Sequence, residues 1–237
     1  MARRSRRGKK QSHFKVYIGI FIAAVLVVSI GGFYVYEARN NASSSTSGTS
    51  SSSTTTPTGS GPYAVLQTSK GTIIIQLFPQ VAPLTVANFE KLANQGFYTN
   101  LVWHRIVAGF VIQTGDQNSQ GAVNDTRGTW GQSEGPYTEP LEANPNYHND
   151  VGYVAIAHTS SSTSGGSQFY INLANNTSLD GSYTVFGKVV AGMGVVNAIA
   201  AIPVYTNANS FTYDQPIDAQ SAMLISVTIS NTYPTST

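Results

Sequence analysis

Trp103-His104-Arg105-Ile106-Val107-Ala108-Gly109-Phe110-Val111-Ile112-Gln113-Thr114-Gly115-Asp116 places a charged residue inside an apolar, β-prone run. Ile106, Val107, Phe110, Val111 and Ile112 have the β-branched and aromatic character of core strands. A guanidinium is almost never fully buried unless paired, so Arg105 is expected on a cleft wall. Gln113 follows eight residues later, and Gly115-Asp116 closes the run with a turn signal. Taken alone, the stretch also fits an ordinary strand whose arginine faces solvent.

Two later stretches change that balance. Gly152-Tyr153-Val154-Ala155-Ile156-Ala157-His158 leads to Ser164-Gly165-Gly166-Ser167-Gln168-Phe169-Tyr170-Ile171, and then comes Leu179-Asp180-Gly181-Ser182-Tyr183-Thr184-Val185-Phe186-Gly187-Lys188-Val189. In this order and spacing the three blocks resemble a cyclophilin-type peptidyl-prolyl isomerase. They match that family's F-H-R-x-x-x-G-F-x-x-Q-x-G-D, G-S-Q-F-F-I and L-D-G-x-x-x-V-F-G-K-V patterns. The resemblance runs from about Tyr63 to about Ile229. It implies a mainly β fold, a closed eight-stranded antiparallel barrel with a helix over each end.

The chain has 237 residues, room for one domain and additional segments. Only 10% are charged, which argues for a neutral polar surface rather than a nucleic-acid binder. The net charge of +2 hides an asymmetry, since Arg3, Arg4, Arg6, Arg7, Lys9, Lys10 and Lys15 all precede the first long apolar run. Without them the remainder is mildly acidic. A basic tail of this kind also suits nucleic acid, but its place before an apolar span favours membrane topology. There are no cysteines, which excludes disulfides, thiolate metal sites and cysteine lipidation.

Val16 to Tyr36 carries no charge and is long enough, as a helix, to cross ~30 Å of hydrocarbon. Tyr17, Tyr34 and Tyr36 are placed like interfacial aromatics. A cleaved signal peptide is the alternative. The run exceeds the usual ~7–15 apolar residues of such a segment, and no clean small-x-small site follows. We therefore expect a basic cytoplasmic tail (1–15), a transmembrane signal-anchor (16–36), a Ser/Thr-rich flexible linker (37–61), the isomerase-like domain (62–231) and a flexible C-terminus (232–237). The positive-inside rule puts the N-terminus in the cytoplasm and the domain outside, on a single-pass anchor in the cell membrane. The linker has too few apolar side chains to offset chain entropy, and a glycosylated stalk is its other reading.

Within the domain, Tyr63–Thr68 and Thr72–Phe78 flank a Ser69-Lys70-Gly71 turn and read as a hairpin. Pro83 to Asn94 reads as a helix with Val86, Phe89, Leu92 and Ala93 on its apolar stripe and Gly96 at its end. Gln117 to Asn149 is rich in Gly, Asn and Pro and reads as mostly loop. Met193 to Ala201 is a second helix stopped by Pro203, and Met223 to Ile229 a closing strand.

Rotation about an X–Pro bond meets a barrier of ~18–20 kcal/mol from amide resonance. A catalyst must hold the ring, let the bond twist and stabilise the pyramidal nitrogen. A guanidinium suits the last task because it cannot deprotonate and offers several donors. By resemblance Arg105 takes that role, with Phe110 and Gln113 completing the catalytic set. Phe110, Ile156, Tyr170 and Leu179 fall at the socket positions, where Phe, Met, Phe and Leu are usual, so Ile156 and Tyr170 depart mildly. Each also fits simple core packing. His104, Ala157, His158, Gln168 and Tyr183 complete the substrate-binding set. His158 stands where asparagine is usual, and its main chain pairs with substrate as an added strand.

Ser178 stands where many eukaryotic members carry a tryptophan that contacts cyclosporin. Tyr183 stands where they carry a histidine, and a tyrosine there resembles bacterial members. Cyclosporin binding is therefore expected to be weak or absent. His13, His104, His148 and His158 lack metal-ligand spacing, so no metal and no cofactor are expected. Asp116, Asp150 and Asp180 look like turn residues. The expected partners are proline-containing polypeptides and the membrane, not nucleic acid, and the domain is expected to be monomeric. The function implied is a peptidyl-prolyl cis-trans isomerase (rotamase), a folding chaperone for exported or cell-surface proteins. The alternatives are a non-catalytic module that holds proline peptides and an assembly factor tethered at the membrane.

Overall fold

The computed structural model describes residues 61–122, 124–158 and 164–234. The expected basic tail, the membrane span and all but the last residue of the linker lie outside the described residues, as do the last three of the C-terminal tail. Among the described residues no helix is long and apolar enough to cross a membrane.

Among the described residues eleven strands and two α-helices follow one another as β1 (Tyr63–Thr68), β2 (Gly71–Leu77), α1 (Pro83–Asn94), β3 (Leu101–Val102), β4 (Arg105–Val107), β5 (Val111–Thr114), β6 (Glu139–Pro140), β7 (Tyr153–Ile156), β8 (Ser164–Gly165), β9 (Phe169–Asn172), β10 (Val185–Ala191), α2 (Met193–Ala200) and β11 (Met223–Ser230). Nine of the strands form one curled antiparallel sheet in the order β3-β11-β1-β2-β10-β7-β9-β5-β4. The chain ends of the domain meet, with Tyr63 opposite Ser230 in the β1–β11 ladder.

The expected closed barrel of eight strands is corrected here. The segment Leu101–Val107 bends at Trp103-His104. Its first half pairs with β11 and its second with β5. No ladder joins β3 to β4 among the described residues, and the two residues of chain between them span that seam. The segment after β5, expected as mostly loop, carries short 3-10 turns at Gln117–Ala122, kinked at Gln120-Gly121, and at Asn124–Thr129, while β6 and β8 form a separate two-stranded sheet.

Side-chain parity divides the sheet. Ile112, Val154, Ile156, Phe169, Ile171 and Phe186 point into the main core with Phe89, Tyr98 and Trp103. Their immediate neighbours Val111, Ala155, Ala157, Tyr170 and Val185 form a second cluster on the opposite face. Strand side chains alternate with a period of two, so one sequence step changes the face. Within the core Phe89 meets Phe169 edge-on with ring centroids 5.5 Å apart, and each fully buried ring of this kind contributes about 1.5–3 kcal/mol of transfer energy.

α1 starts at Pro83, where the missing N–H costs nothing, and its N-cap residue Ala82 supplies no side-chain cap. The cap comes from far along the chain, as the Glu142 carboxylate accepts from Leu84 N at 3.0 Å and Thr85 N at 2.8 Å. A carboxylate there also complements the positive end of the helix dipole. α1 packs against β11 and β6, and α2 against β2, β4 and β5.

Candidate active site

The β4–β5 hairpin sets Arg105 directly opposite Gln113. Its turn is pinned, because Phe110 N donates to Val107 O while Phe110 O accepts from Leu173 N and Asn176 Nδ2. Arg105 is half-buried, with its side chain 32% exposed. Its Nη1 is 3.5 Å from Gln113 Oε1, and its guanidinium carbon lies 5.8 Å from the centre of the Phe110 ring. Burial lowers its pKa, opposed by Asp214, Tyr183 and Tyr213 nearby. A guanidinium stays cationic under such a shift.

Gln113 passes the order on. Its Nε2 donates to Gln168 Oε1 at 2.8 Å, and Gln168 Nε2 donates to Ser133 O at 2.9 Å. The loop that holds Ser133 is in turn fixed by fully buried Asp116, whose carboxylate accepts from the backbone N–H groups of Gly131, Gln132 and Asn118. That is the turn role expected for Asp116. Gly115, at φ +93°, lies so close to Ser167 O that an added Cβ would collide with it. Only glycine fits where β5 runs into that loop.

Beside this polar row lies the apolar cluster. Val111, Ala157 and Tyr170 are buried, with Phe110, Leu179 and Tyr183 partly buried against them. The Tyr170 hydroxyl donates to Asn149 Oδ1 at 2.8 Å, and Asn149 donates from its own N and Nδ2 to Asp180 Oδ1. The hydroxyl that distinguishes Tyr170 from phenylalanine is therefore satisfied below the surface. Burial pushes its pKa up. Tyr183 stands edge-on to Tyr170 at 5.8 Å and stacks on His158 at 4.4 Å, while His158 Nε2 lies 2.8 Å from Ser182 O. Ser178 is exposed in the 3-10 turn Thr177–Leu179.

The structure thus brings together Arg105, Phe110, Gln113, Ala157, His158, Gln168, Tyr170, Leu179 and Tyr183. It does not bring Ile156 or His104 to the same surface. Ile156 sits in the main core, packed under Gly165, because its parity on β7 is opposite to that of Ala155 and Ala157. Val111 occupies the cluster instead, and counting alternate residues back from Gln113 would have found it. His104 is 3% exposed, buried behind the polar row beside Gly131, Asp116 and Gln168. Burial lowers its pKa to about 4, with Asp116 opposing and Arg105 adding to the shift. Asp214 is the other residue that sequence reasoning missed. It follows Arg105 by more than a hundred positions, and no local pattern links them. Among the described residues no group of His, Cys, Asp or Glu is placed to hold a metal ion.

Chemically, the arrangement offers a fixed cationic donor and an amide beside an apolar, aromatic-walled socket. The family described as cyclophilin type peptidyl-prolyl cis-trans isomerase/CLD matches residues 63–221. Peptidyl-prolyl cis-trans isomerase B of Bacillus subtilis is 44% identical over 122 residues, covering 51% of this chain and 78% of that protein. An isomerase of Rhizopus delemar is 36% identical over 144 residues, 61% of this chain but 22% of that longer protein. Among solved structures, a cyclophilin-type isomerase of Cryptosporidium parvum, crystallised in the presence of the dipeptide Ala-Pro, superposes with a TM-score of 0.60 at 26% identity. That match covers 71% of this chain and 98% of the other.

Proposed function

The chain belongs to the cyclophilin-type peptidyl-prolyl cis-trans isomerase family and is a peptidyl-prolyl isomerase; from that premise we propose that it is a bacterial-like, membrane-anchored member that turns over X–Pro bonds in exported or cell-surface polypeptides. The observation that supports the site assignment is Arg105, half-buried opposite Gln113 and beside the Phe110–Tyr170 cluster.

A prolyl ring packs on Phe110, Val111, Tyr170 and Leu179, which removes its apolar surface from water. Gln113, held by Gln168, meets the substrate backbone, and Arg105 donates toward the proline nitrogen as the amide loses its resonance. A donor fixed before the reaction stabilises the twisted state more than the planar one, and that difference accelerates rotation. No covalent intermediate is required.

Val16–Tyr36 and its basic flank support the anchor, and the tyrosine at 183 supports the bacterial character. Exposed Ser178 in place of a tryptophan supports weak cyclosporin binding, because a missing large aromatic contact costs a few kcal/mol at an interface hot spot. The decisive experiment uses the full-length chain in detergent. Cis/trans exchange of an X–Pro peptide, followed by NMR, should speed up in proportion to protein, and absence of any acceleration would refute the assignment. In cells, the chain should fractionate with membranes and be cut by external protease on spheroplasts. A soluble mature protein starting after residue 36 would replace the anchor with a signal peptide.

A further inference from the structure

We propose that Asp214 is a positioning residue for Arg105, holding the guanidinium in the orientation that turnover needs. This deepens the isomerase reading and rests on it. Asp214 Oδ2 lies 3.9 Å from Arg105 Nε, and its side chain is 15% exposed. Gln113 Oε1 lies near Nη1 of the same group. The guanidinium therefore lies between a carboxylate at ion-pair distance and an amide oxygen, with the centre of the Phe110 ring 5.8 Å from its carbon. A half-buried cation without an anion loses hydration and gains rotamer freedom, and a carboxylate at the Nε edge offsets both.

The backbone that carries the carboxylate is itself held in place. Asp214 O accepts from Ile106 N at 2.8 Å, which ties it to the residue next to Arg105. Asp214 N donates to Tyr205 O, and Tyr205 N donates to Gln215 O. A bridge joins Val204 to Pro216. Behind them, Arg127 donates to Pro216 O at 2.7 Å and Ile217 O at 3.2 Å, and Gln215 Nε2 donates to Arg127 O. Asp214 adopts φ +63°, in the left-handed region that costs non-glycine residues of order 1 kcal/mol or more and persists only where the surroundings dictate it. The whole segment between α2 and β11 thus delivers one acid to the groove-side arginine.

The titratable groups facing this pair are His104, Tyr183 and Tyr213 beside Arg105, while Arg127 is turned to Trp130 and Tyr205. Asp214→Asn leaves His104 in place, so the difference between the two proteins isolates the Asp214 titration. Burial raises the Asp214 carboxyl above the ordinary aspartate range, with Arg105 opposing. Protonation, on the acid side, removes the anion from beside the guanidinium. Turnover should therefore fall as pH drops through this titration.

The test uses the full-length chain and an X–Pro peptide, with cis/trans exchange and peptide affinity measured by NMR between pH 4 and pH 7. Asp214→Asn keeps the side-chain shape and tolerates positive φ, so the segment should remain in place. At pH 7 we expect kcat/KM to fall about three- to tenfold while peptide affinity stays within about twofold, a smaller loss than for removing the Arg105 donor itself. The difference between the two profiles should narrow toward the acid end, as the wild type takes up the proton that removes its anion. Asp214→Glu should regain part of the loss. In the wild type the Arg105 Nε–H signal should titrate together with the acid limb of activity, a check that needs no substitution. Equal activity of wild type and Asp214→Asn, loss of affinity in step with turnover, or an Arg105 Nε signal indifferent to the variant would each overturn the proposal. An inactive wild type would instead refute the isomerase reading, and the Nε signal would still decide whether Asp214 holds Arg105.

Discussion

Phe169 and Tyr170 follow each other on β9 and face different surroundings. Phe169 is fully buried among Phe89, Tyr98, Trp103 and Phe186. Tyr170, on the other face, packs with partly exposed rings and is held by a hydrogen bond to Asn149. Across the seam a similar contrast appears, where Trp103 lies in the core and Arg105 on the groove side. The inward face is apolar and sets stability. The outward face is a smaller apolar cluster bounded by polar groups whose positions are fixed by other polar groups. Stability and function therefore sit on alternate residues of the same strands, and substitutions should separate them.

The largest effect should come from the inward side. Phe169→Ala is expected to cost about 3–5 kcal/mol of stability, the usual range for emptying an aromatic site in a packed core. A urea melt followed by circular dichroism measures it, and a loss below about 1 kcal/mol would break the contrast between faces.

Next comes Arg105→Ala, where the sign of the contrast reverses. We expect kcat/KM to fall by roughly 10²–10³, equivalent to ~2.7–4 kcal/mol of transition-state stabilisation, with the fold retained. Ground-state peptide affinity should fall far less than turnover. Arg105→Lys should rescue only part, because a point charge lacks the planar fork. A folded and fully active Arg105→Ala protein would remove arginine from the mechanism.

The third test concerns His104. Its pKa is lowered from 6.5 to about 4 by burial, so the unfolded chain takes up the proton first as pH falls. The stability held by the neutral, buried ring is whole above about pH 6.5 and is lost as pH drops toward 4, on the order of a few kcal/mol across the window. Glu134 and Asp214, with raised pKa values, act in the opposite sense. The readout is therefore the slope of unfolding free energy against pH, which should be shallower in His104→Gln than in the wild type. Equal slopes would place the titration elsewhere.

The smallest effect is expected for Tyr170→Phe. It removes the hydrogen bond to Asn149 Oδ1, but Asn172 Nδ2 still approaches that oxygen at 3.3 Å. The loss should be about 1 kcal/mol in a urea melt, with turnover within a few-fold of wild type. A much larger loss of activity would mean that the Asp180–Asn149–Tyr170 chain shapes the socket.

The sequence carried much of this. The WHRIVAGFVIQTGD stretch picked out Arg105 and Gln113, which the structure sets on facing strands, and Pro83 marked the first residue of α1. Ile156 was set in the socket by resemblance alone, and the parity of the strands, legible in the sequence, puts Val111 there instead. The bend at Trp103-His104 was not legible, since nothing in an apolar run announces that its two halves pair with different strands. Asp214 and the Glu142 cap on α1 were hidden for another reason. Each acts on a partner far away in sequence, and only the folded backbone brings them together.

Tyr63 and Ser230 stand side by side, and Tyr63 also meets Tyr233 edge-on. The domain is therefore entered and left at one corner. A protein built this way can be spliced into a surface loop of a host without prising the host apart. Its ends can also be linked and new ones cut at an exposed turn such as Ser69-Lys70, a circular permutation that surface termini lying close together tolerate well.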